Sequence, residues 1–267
     1  MNKYLSFFKI RLTNGLQYRG AAWAGVATQF VWGGMTLLMF RAFYQNGENS
    51  LPMTFPELSS YIWLQQGFLA LYMAWYFDND IFNSITSGNI AYELCRPIDL
   101  YAMWFVKNMA VRLSRAILRC FPILIVAVFL PKPFNISLPC TPVAGLMFII
   151  SLILGFLVLV AFSMLIYISV FYTLSSLGIR ILTTSVVEFL GGAIIPLPFF
   201  PQKLQTLVML LPFASMQNTP FQIYNGYIAS SEILKSVLFQ IIWLGILLKL
   251  GKLLMQQALK KVVVQGG

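Results

Sequence analysis

The feature that most constrains this chain is the grouping of its apolar residues into long runs. A helix that crosses a bilayer needs about 20 mainly apolar residues, and six stretches meet that requirement. They are residues 21–44, 57–77, 113–131, 142–172, 181–200 and 233–257. Only 10% of the residues are charged, against about 25% in a soluble domain. We therefore predict an all-α integral membrane protein with six transmembrane helices in a single domain.

The basic residues indicate how these spans are oriented. With both termini in the cytoplasm, fourteen of the eighteen Lys and Arg residues fall on the inner side. Those on the outer side are Arg41, Lys132, Lys203 and Lys235. This distribution follows the positive-inside rule, so we predict cytoplasmic N and C termini. The basic excess is assigned to membrane orientation and lipids, and no nucleic acid is expected as a partner.

The residue types that are missing exclude several kinds of catalytic site. The sequence has no His, which excludes His-ligated metal sites and Ser-His-Asp triads. Its three cysteines lack a CxxC spacing, and no G-x-x-x-x-G-K-[ST] loop for binding ATP occurs. We therefore predict a chain that is not an enzyme and holds no cofactor or metal.

Residues 3–19 are predicted to form an amphipathic helix on the inner membrane surface. At 3.6 residues per turn the helix has one apolar stripe, and basic side chains at its edges can reach lipid headgroups. Phe7 and Ile10 fall outside that stripe. The alternative is a disordered basic tail. The stripe consists of Tyr4, Leu5, Phe8, Leu12 and Leu16.

Residues 78–112, between the second and third spans, are predicted to be a cytoplasmic region with a short helix over 81–87. Asp80 can cap the start of this helix, and Gly88 can end it. An exposed apolar patch there would indicate a protein partner; the alternative is that it packs against the membrane or neighbouring helices. The apolar residues of this helix are Ile81, Phe82 and Ile85.

Three arginines lie where the third span begins, after a helix start that Asp99 can cap. Arg112, Arg115 and Arg119 recur at i, i+3 and i+7 and so share one helix face. Two interpretations stay open. The face either lines an inner vestibule that attracts an anionic lipid or substrate, or forms an ordinary belt of side chains at the headgroups.

Glu188 is the one acidic residue that the six spans place inside the bilayer away from a span end. An intramembrane carboxylate is a functional candidate by default: it could line a substrate path, bind a proton, or pair with Arg180 or a partner subunit. The alternative is a structural hydrogen bond between helices. Gln29 and Gln65 join Glu188 as candidates for the translocation path. An ion-coupled secondary transporter that uses Glu188 is the alternative function.

Residues 201–232 are predicted to form a re-entrant element on the outer side. Prolines end the fifth span, and the apolar stretch 202–211 is too short to cross the bilayer. Broken backbone at this depth needs protein or water to satisfy it, and such an element could close the exit of a conduit. The candidate outer gate comprises Pro196, Pro198, Phe200, Pro201 and Pro212.

This layout resembles the permease subunits of ABC-2 type ABC transporters, in the branch of small six-span permeases that work with a separate ATPase. The most specific local match is 88–98, which is similar to the signature G-x-[ILV]…L-x-[RK]-P and contains Gly88, Arg96 and Pro97. A second match is the proline pattern over 196–220. The likeness covers nearly the whole chain.

The resemblance implies a half-transporter in the bacterial inner (plasma) membrane. A second permease subunit, identical or homologous, would complete the path, and separate ABC subunits would bind ATP and Mg. The helix with Ile81, Phe82 and Ile85 is similar to the coupling helix that contacts the ATPase in this family. Export is the expected direction, because nothing in the chain could receive a substrate-binding protein.

Overall fold

The computed structural model describes residues 2–45, 51–173 and 175–261, and every regular element within these ranges is helical, as predicted. A single 3-10 turn, Leu197–Phe199, lies between α9 and α10. The α-helices are α1 (Asn2–Leu16), α2 (Arg19–Gln45), α3 (Phe55–Gly67), α4 (Leu69–Tyr72), α5 (Asn79–Thr86), α6 (Ile90–Leu94), α7 (Leu100–Phe129), α8 (Pro142–Thr173), α9 (Leu177–Leu190), α10 (Gln202–Met209), α11 (Asn218–Asn225) and α12 (Ser230–Leu259).

Helix α8 is the centre of the fold. Helix α12 packs along it, and α11, α7 and α5 contact it at other positions. One apolar cluster surrounds Phe82, Trp104 and Tyr167, where α5, the start of α7 and the ends of α8 and α12 meet. We refer to this region as the α5 end. The opposite end, which we call the loop end, holds the chain over 131–141 and 191–229.

Two of the described helices, α8 and α12, are long and apolar enough by length and composition to cross a membrane. Helices α3 and α9 have 13 and 14 residues. At 1.5 Å per residue each is about 20 Å long, less than the ~30 Å of a hydrocarbon core. The helices at the second and fifth predicted spans are therefore shorter than 57–77 and 181–200.

Both short helices end at or next to a glycine. Helix α3 ends at Gly67, the single turn of α4 follows, and the chain over 73–78 is not helical. Helix α9 ends at Leu190 with Gly191 as its C-cap, and Gly192 has a φ of +76°, the left-handed conformation typical of helix ends. The prolines that follow cannot continue a helix.

Helix α1 packs along α7, and its half-buried face contains Phe7 together with four of the five residues of the predicted stripe, Tyr4, Phe8, Leu12 and Leu16. Leu5 is 55% exposed, whereas Phe7 packs against the apolar cluster of the α5 end. The closest approach is at Gly15, where an added Cβ would lie 2.0 Å from the Ser114 hydroxyl oxygen. The helix therefore turns the face containing Gly15 toward α7.

Candidate functional site

The predicted coupling helix is α5, and its ends are fixed by local hydrogen bonding. The carboxylate of Asp78 accepts a hydrogen bond from the Asp80 N–H at 3.0 Å, so Asp78 is the N-cap in place of the predicted Asp80. Helix α5 ends at Thr86, and Gly88 follows with a φ of +76°. Gly88 therefore stops the helix as predicted.

The apolar side chains of α5 face inward. Ile81, Phe82 and Ile85 are 1%, 3% and 8% exposed, and the Phe82 ring lies 5.0 Å from the Tyr167 ring of α8. The expected exposed patch is therefore replaced by the alternative, packing against a neighbouring helix. Burial of such side chains stabilises the fold by about 1.5–3 kcal/mol each. The exposed residues of this segment are Asn79, Asp80, Asn83, Thr86 and Ser87.

Polar contacts attach α5 to three other helices. Lys107 Nζ of α7 lies 2.8 Å from the Asp78 carboxylate and 3.8 Å from that of Asp80. The Asp78 N–H donates to the Tyr167 hydroxyl at 2.8 Å. Arg180 of α9 donates to Asn79 Oδ1 at 3.2 Å, so it pairs with α5 and not with Glu188. A displacement of α5 would therefore act directly on α7, α8 and α9.

The signature segment 88–98 lies beside α5 with Arg96 and Pro97 exposed. Lys3 of α1 donates to the Pro97 carbonyl at 2.9 Å, which connects the N-terminal helix to this segment. Asp99 accepts from the Ala102 N–H at 2.7 Å and caps α7, as predicted.

The three arginines of α7 do not share one environment. Arg112 is fully buried, and its guanidinium donates to the carbonyls of Met73 at 2.7 Å and Tyr76 at 2.9 Å. Its Nε donates to Asn108 Oδ1 at 2.7 Å. Arg112 thus belongs neither to a vestibule nor to a headgroup belt, whereas Arg115 and Arg119 border a cavity at the α5 end.

The candidate path residues do not converge on one cavity. Gln29 is 3% exposed, and neither of its amide atoms has a hydrogen-bond partner among the described residues. The Gln65 amide donates to the Ala193 carbonyl, just beyond the end of α9. Glu188 borders a small cavity of about 20 Å³ whose lining contains neither glutamine.

The candidate outer gate is a packed part of the loop end. Among its residues, Pro201 is exposed and the other four are buried. Sequence reasoning missed two side chains that hold the neighbouring segment. Tyr61 donates to the side-chain Oδ1 of Asn218 at 3.0 Å, and Gln240 donates to the backbone carbonyl of Ser215 at 2.8 Å. Gln240 is a polar residue in an apolar span, the same signal that marked Gln65. The buried members are Pro196, Pro198, Phe200 and Pro212.

Comparison with known protein families agrees with this architecture. Residues 30–266 match the family described as ABC-2 family transporter protein. A comparison with curated proteins found no match. The matched region includes the end of α2 and all of α3 to α12, and therefore α5, the signature segment and the loop end. The chain thus belongs to the ABC-2 family of transporter proteins, as a membrane permease.

Proposed function

We propose that this chain is the permease half of an ATP-driven exporter in the bacterial inner membrane. It would cross the membrane six times with both termini in the cytoplasm, pair with a second permease subunit, and bind separate subunits that hold ATP and Mg. Family membership and the distribution of basic residues support this proposal. The chain itself would supply the path and no hydrolysis.

The observation that carries the proposal is the way α5 is built into the fold. Its apolar face is buried on α8, while the polar face is exposed at the α5 end. Asp78, at its start, contacts both Lys107 of α7 and Tyr167 of α8. A force applied by an ATPase to the exposed face would therefore move long helices together, as a population shift between two states requires.

This arrangement assigns different roles to the two faces of α5. Ile81, Phe82 and Ile85 would hold the helix to the transmembrane helices. The ATPase would contact the exposed face around Asn83 and Thr86. Charged substitutions of the buried residues would disrupt packing, so the contact is best tested on the exposed face.

Helix α9 supports pairing with a second permease subunit. Only one of its fourteen residues, Val187, is buried, and Ile181, Leu182 and Phe189 are exposed. The Glu188 carboxylate on this helix has no hydrogen bond or ion pair to any described residue. A carboxylate is less costly at a subunit interface than against lipid. We therefore assign Glu188 to that interface, and no contact supports an ion-coupled carrier.

The test is the ATPase activity that co-purifies with the tagged chain from its own membranes. Asn83→Trp and Thr86→Trp place a bulky side chain on the exposed face of α5. They should lower that activity about tenfold or more, which corresponds to about 1.4 kcal/mol of lost binding free energy. Gln256→Trp is the matched control, because Gln256 is exposed on α12 near the same end. It should retain the activity.

Two results would contradict the proposal in different ways. Undiminished ATPase activity with Asn83→Trp and Thr86→Trp would show that the ATPase does not contact the exposed face of α5. If the wild-type chain, reconstituted alone, accumulated a substrate against its gradient when driven by protons or sodium, the ATP-driven mechanism itself would be wrong.

A further inference from the structure

A cavity of about 790 Å³ lies at the α5 end, enclosed by α1, the start of α2, the chain over 76–80 and α7. This volume is within the range of small-molecule sites, about 300–1,000 Å³. None of the roles proposed above uses it. The charged residues that line it are Arg11, Lys107, Arg115, Arg119, Asp78 and Asp80.

The charges in this cavity are unevenly distributed. Lys107 lies within 2.8 Å and 3.8 Å of the two carboxylates, so that side of the cavity is internally paired. Arg11, Arg115 and Arg119 have no salt bridge to any acidic residue in the part of the chain that the structure describes. The whole lining therefore has an excess of two positive charges. The three arginines of α1 and α7 contribute three, and Lys107 with its two carboxylates contributes one net negative charge.

The guanidinium groups are held in place by contacts other than ion pairs. Arg115 lies over the Tyr76 ring at 4.1 Å, and Arg11 over the Phe7 ring at 5.2 Å. Arg119 lies against Gly25, where an added Cβ would be 2.5 Å from its Cζ atom. The Nε of Arg119 is shielded from solvent and has no hydrogen-bond partner among the described residues.

These observations together describe a site for an oxyanion. Arg115 and Arg119 are four residues apart on α7 and so are neighbours on one helix face. Guanidinium groups bind phosphate through two parallel N–H···O bonds, and fixed rings and a glycine contact reduce the entropy lost on binding. Arg11 approaches the same space from α1. The cavity is larger than a single phosphate requires.

We propose that this cavity binds the phosphate group of an anionic amphiphile, which we identify as a phospholipid headgroup. Arg115 and Arg119 would bind the phosphate oxygens, and Arg11 would add a third positive charge. The amphipathic α1 forms one wall, and the predicted orientation places the cavity at the inner headgroup level, where anionic lipids attract basic residues. This proposal needs no ATPase and is independent of the exporter assignment.

The test compares lipids on the purified full-length chain in neutral detergent. Phosphatidylglycerol should bind and raise Tm, whereas phosphatidylcholine with the same acyl chains should do so weakly. The double variant Arg115→Gln/Arg119→Gln should raise the Kd for phosphatidylglycerol about tenfold or more, as measured by native mass spectrometry. The matched control is Lys249→Gln/Lys252→Gln, which removes two exposed charges from α12 outside the cavity and should bind like the wild type.

Two further measurements distinguish a lipid phosphate from a soluble phosphate and control for misfolding of the variant. Inorganic phosphate alone should give no shift at the lipid concentration used; an equal shift would overturn the lipid assignment in favour of a soluble phosphate. If the Gln pair does not fold, Arg115→Lys/Arg119→Lys decides the matter, because it retains charge but loses the planar donors and should weaken binding several-fold. The site would be refuted if the α12 control lost lipid binding to the same extent. It would also be refuted if the Gln and Lys double variants of Arg115 and Arg119 bound lipid like the wild type.

Discussion

Arg112 lies fully buried in α7 without a carboxylate partner among the described residues. Charged side chains are almost never fully buried unless they are paired. Here backbone carbonyls take the place of a carboxylate. The carbonyls of Met73 and Tyr76 lie in the non-helical chain after α4, where no backbone N–H of a described helix donates to them, and Arg112 donates to both. One side chain thus stabilises the whole non-helical connection between α4 and α5.

The sequence predicted the face of Arg112 but not its environment. Spacing places Arg112, Arg115 and Arg119 on one side of α7, and the two interpretations of that face assumed that all three share it. The backbone carbonyls of 73–78 bind only the first of them, so Arg112 is buried while Arg115 and Arg119 lie at the cavity. Periodicity describes one helix, whereas this difference arises from a segment distant in sequence.

We expect Arg112→Lys to destabilise the protein by on the order of 3 kcal/mol, because one ammonium cannot reach all the groups that the guanidinium binds and unsatisfied buried groups cost about 1–3 kcal/mol each. The measurement is Tm of the purified chain. Arg115→Lys is the neighbouring control: Arg115 has a ring contact but no hydrogen bond to a described residue, so its loss should stay near 1 kcal/mol. Similar shifts for both would show that Arg112 has no special role.

At the scale of helices, hydropathy located the apolar stretches better than it located the helix ends. It counts apolar residues over 57–77 and 181–200, but it does not register where backbone hydrogen bonding stops. The stop signals are local, at Gly67 and at Gly191–Gly192, and a count of apolar residues does not contain them. The Asp99 cap was predictable because it depends only on residues three positions apart.

The inward face of α5 could not be decided from its own sequence. Ile81, Phe82 and Ile85 give the same amphipathic pattern whether their partner is an ATPase or α8. The outcome depends on Tyr167 and its neighbours, more than 80 residues away. For such a helix the sequence predicts that a partner exists, and only the three-dimensional packing identifies it.

The close contact between α8 and the loop end offers a test of that packing. A Cβ at Gly155 would lie 2.0 Å from the Met216 carbonyl oxygen, whereas one at Gly145 would meet the Pro139 side chain at an ordinary 3.5 Å. Gly155→Val should therefore displace the chain around Met216 and lower stability by about 1–3 kcal/mol, as overpacking typically does. Faster proteolysis of 201–228 would report the displacement.

Gly145→Val, on the same helix, is the matched control for Gly155→Val and adds the same side chain where space allows. It should leave both Tm and the proteolysis rate close to wild type. If Gly155→Val behaved in the same way, the segment around Met216 would not be held directly against α8.

At the scale of the whole molecule, the two ends differ in the residues they gather. The α5 end brings together α1, Lys107 and the cavity lined by Arg115 and Arg119. The C-terminal part of α12, which is followed by Lys260 and Lys261, lies at the same end. The loop end is held mainly by neutral hydrogen bonds such as those of Tyr61 and Gln240. The positive-inside rule therefore predicts that the α5 end faces the cytoplasm.

The native cysteines provide a direct measurement of this orientation, because Cys95 and Cys140 are exposed and Cys120 is buried. In single-cysteine variants, a membrane-impermeant maleimide should label Cys140 on intact cells and Cys95 only after permeabilisation. Cys120 should react slowly in both conditions and serves as the control for burial. Lys260→Cys in a cysteine-free background should behave like Cys95, since an even number of spans returns the C terminus to the cytoplasm. Labelling at position 260 on intact cells would require an odd number of spans and would reverse the placement of every segment beyond the miscounted one.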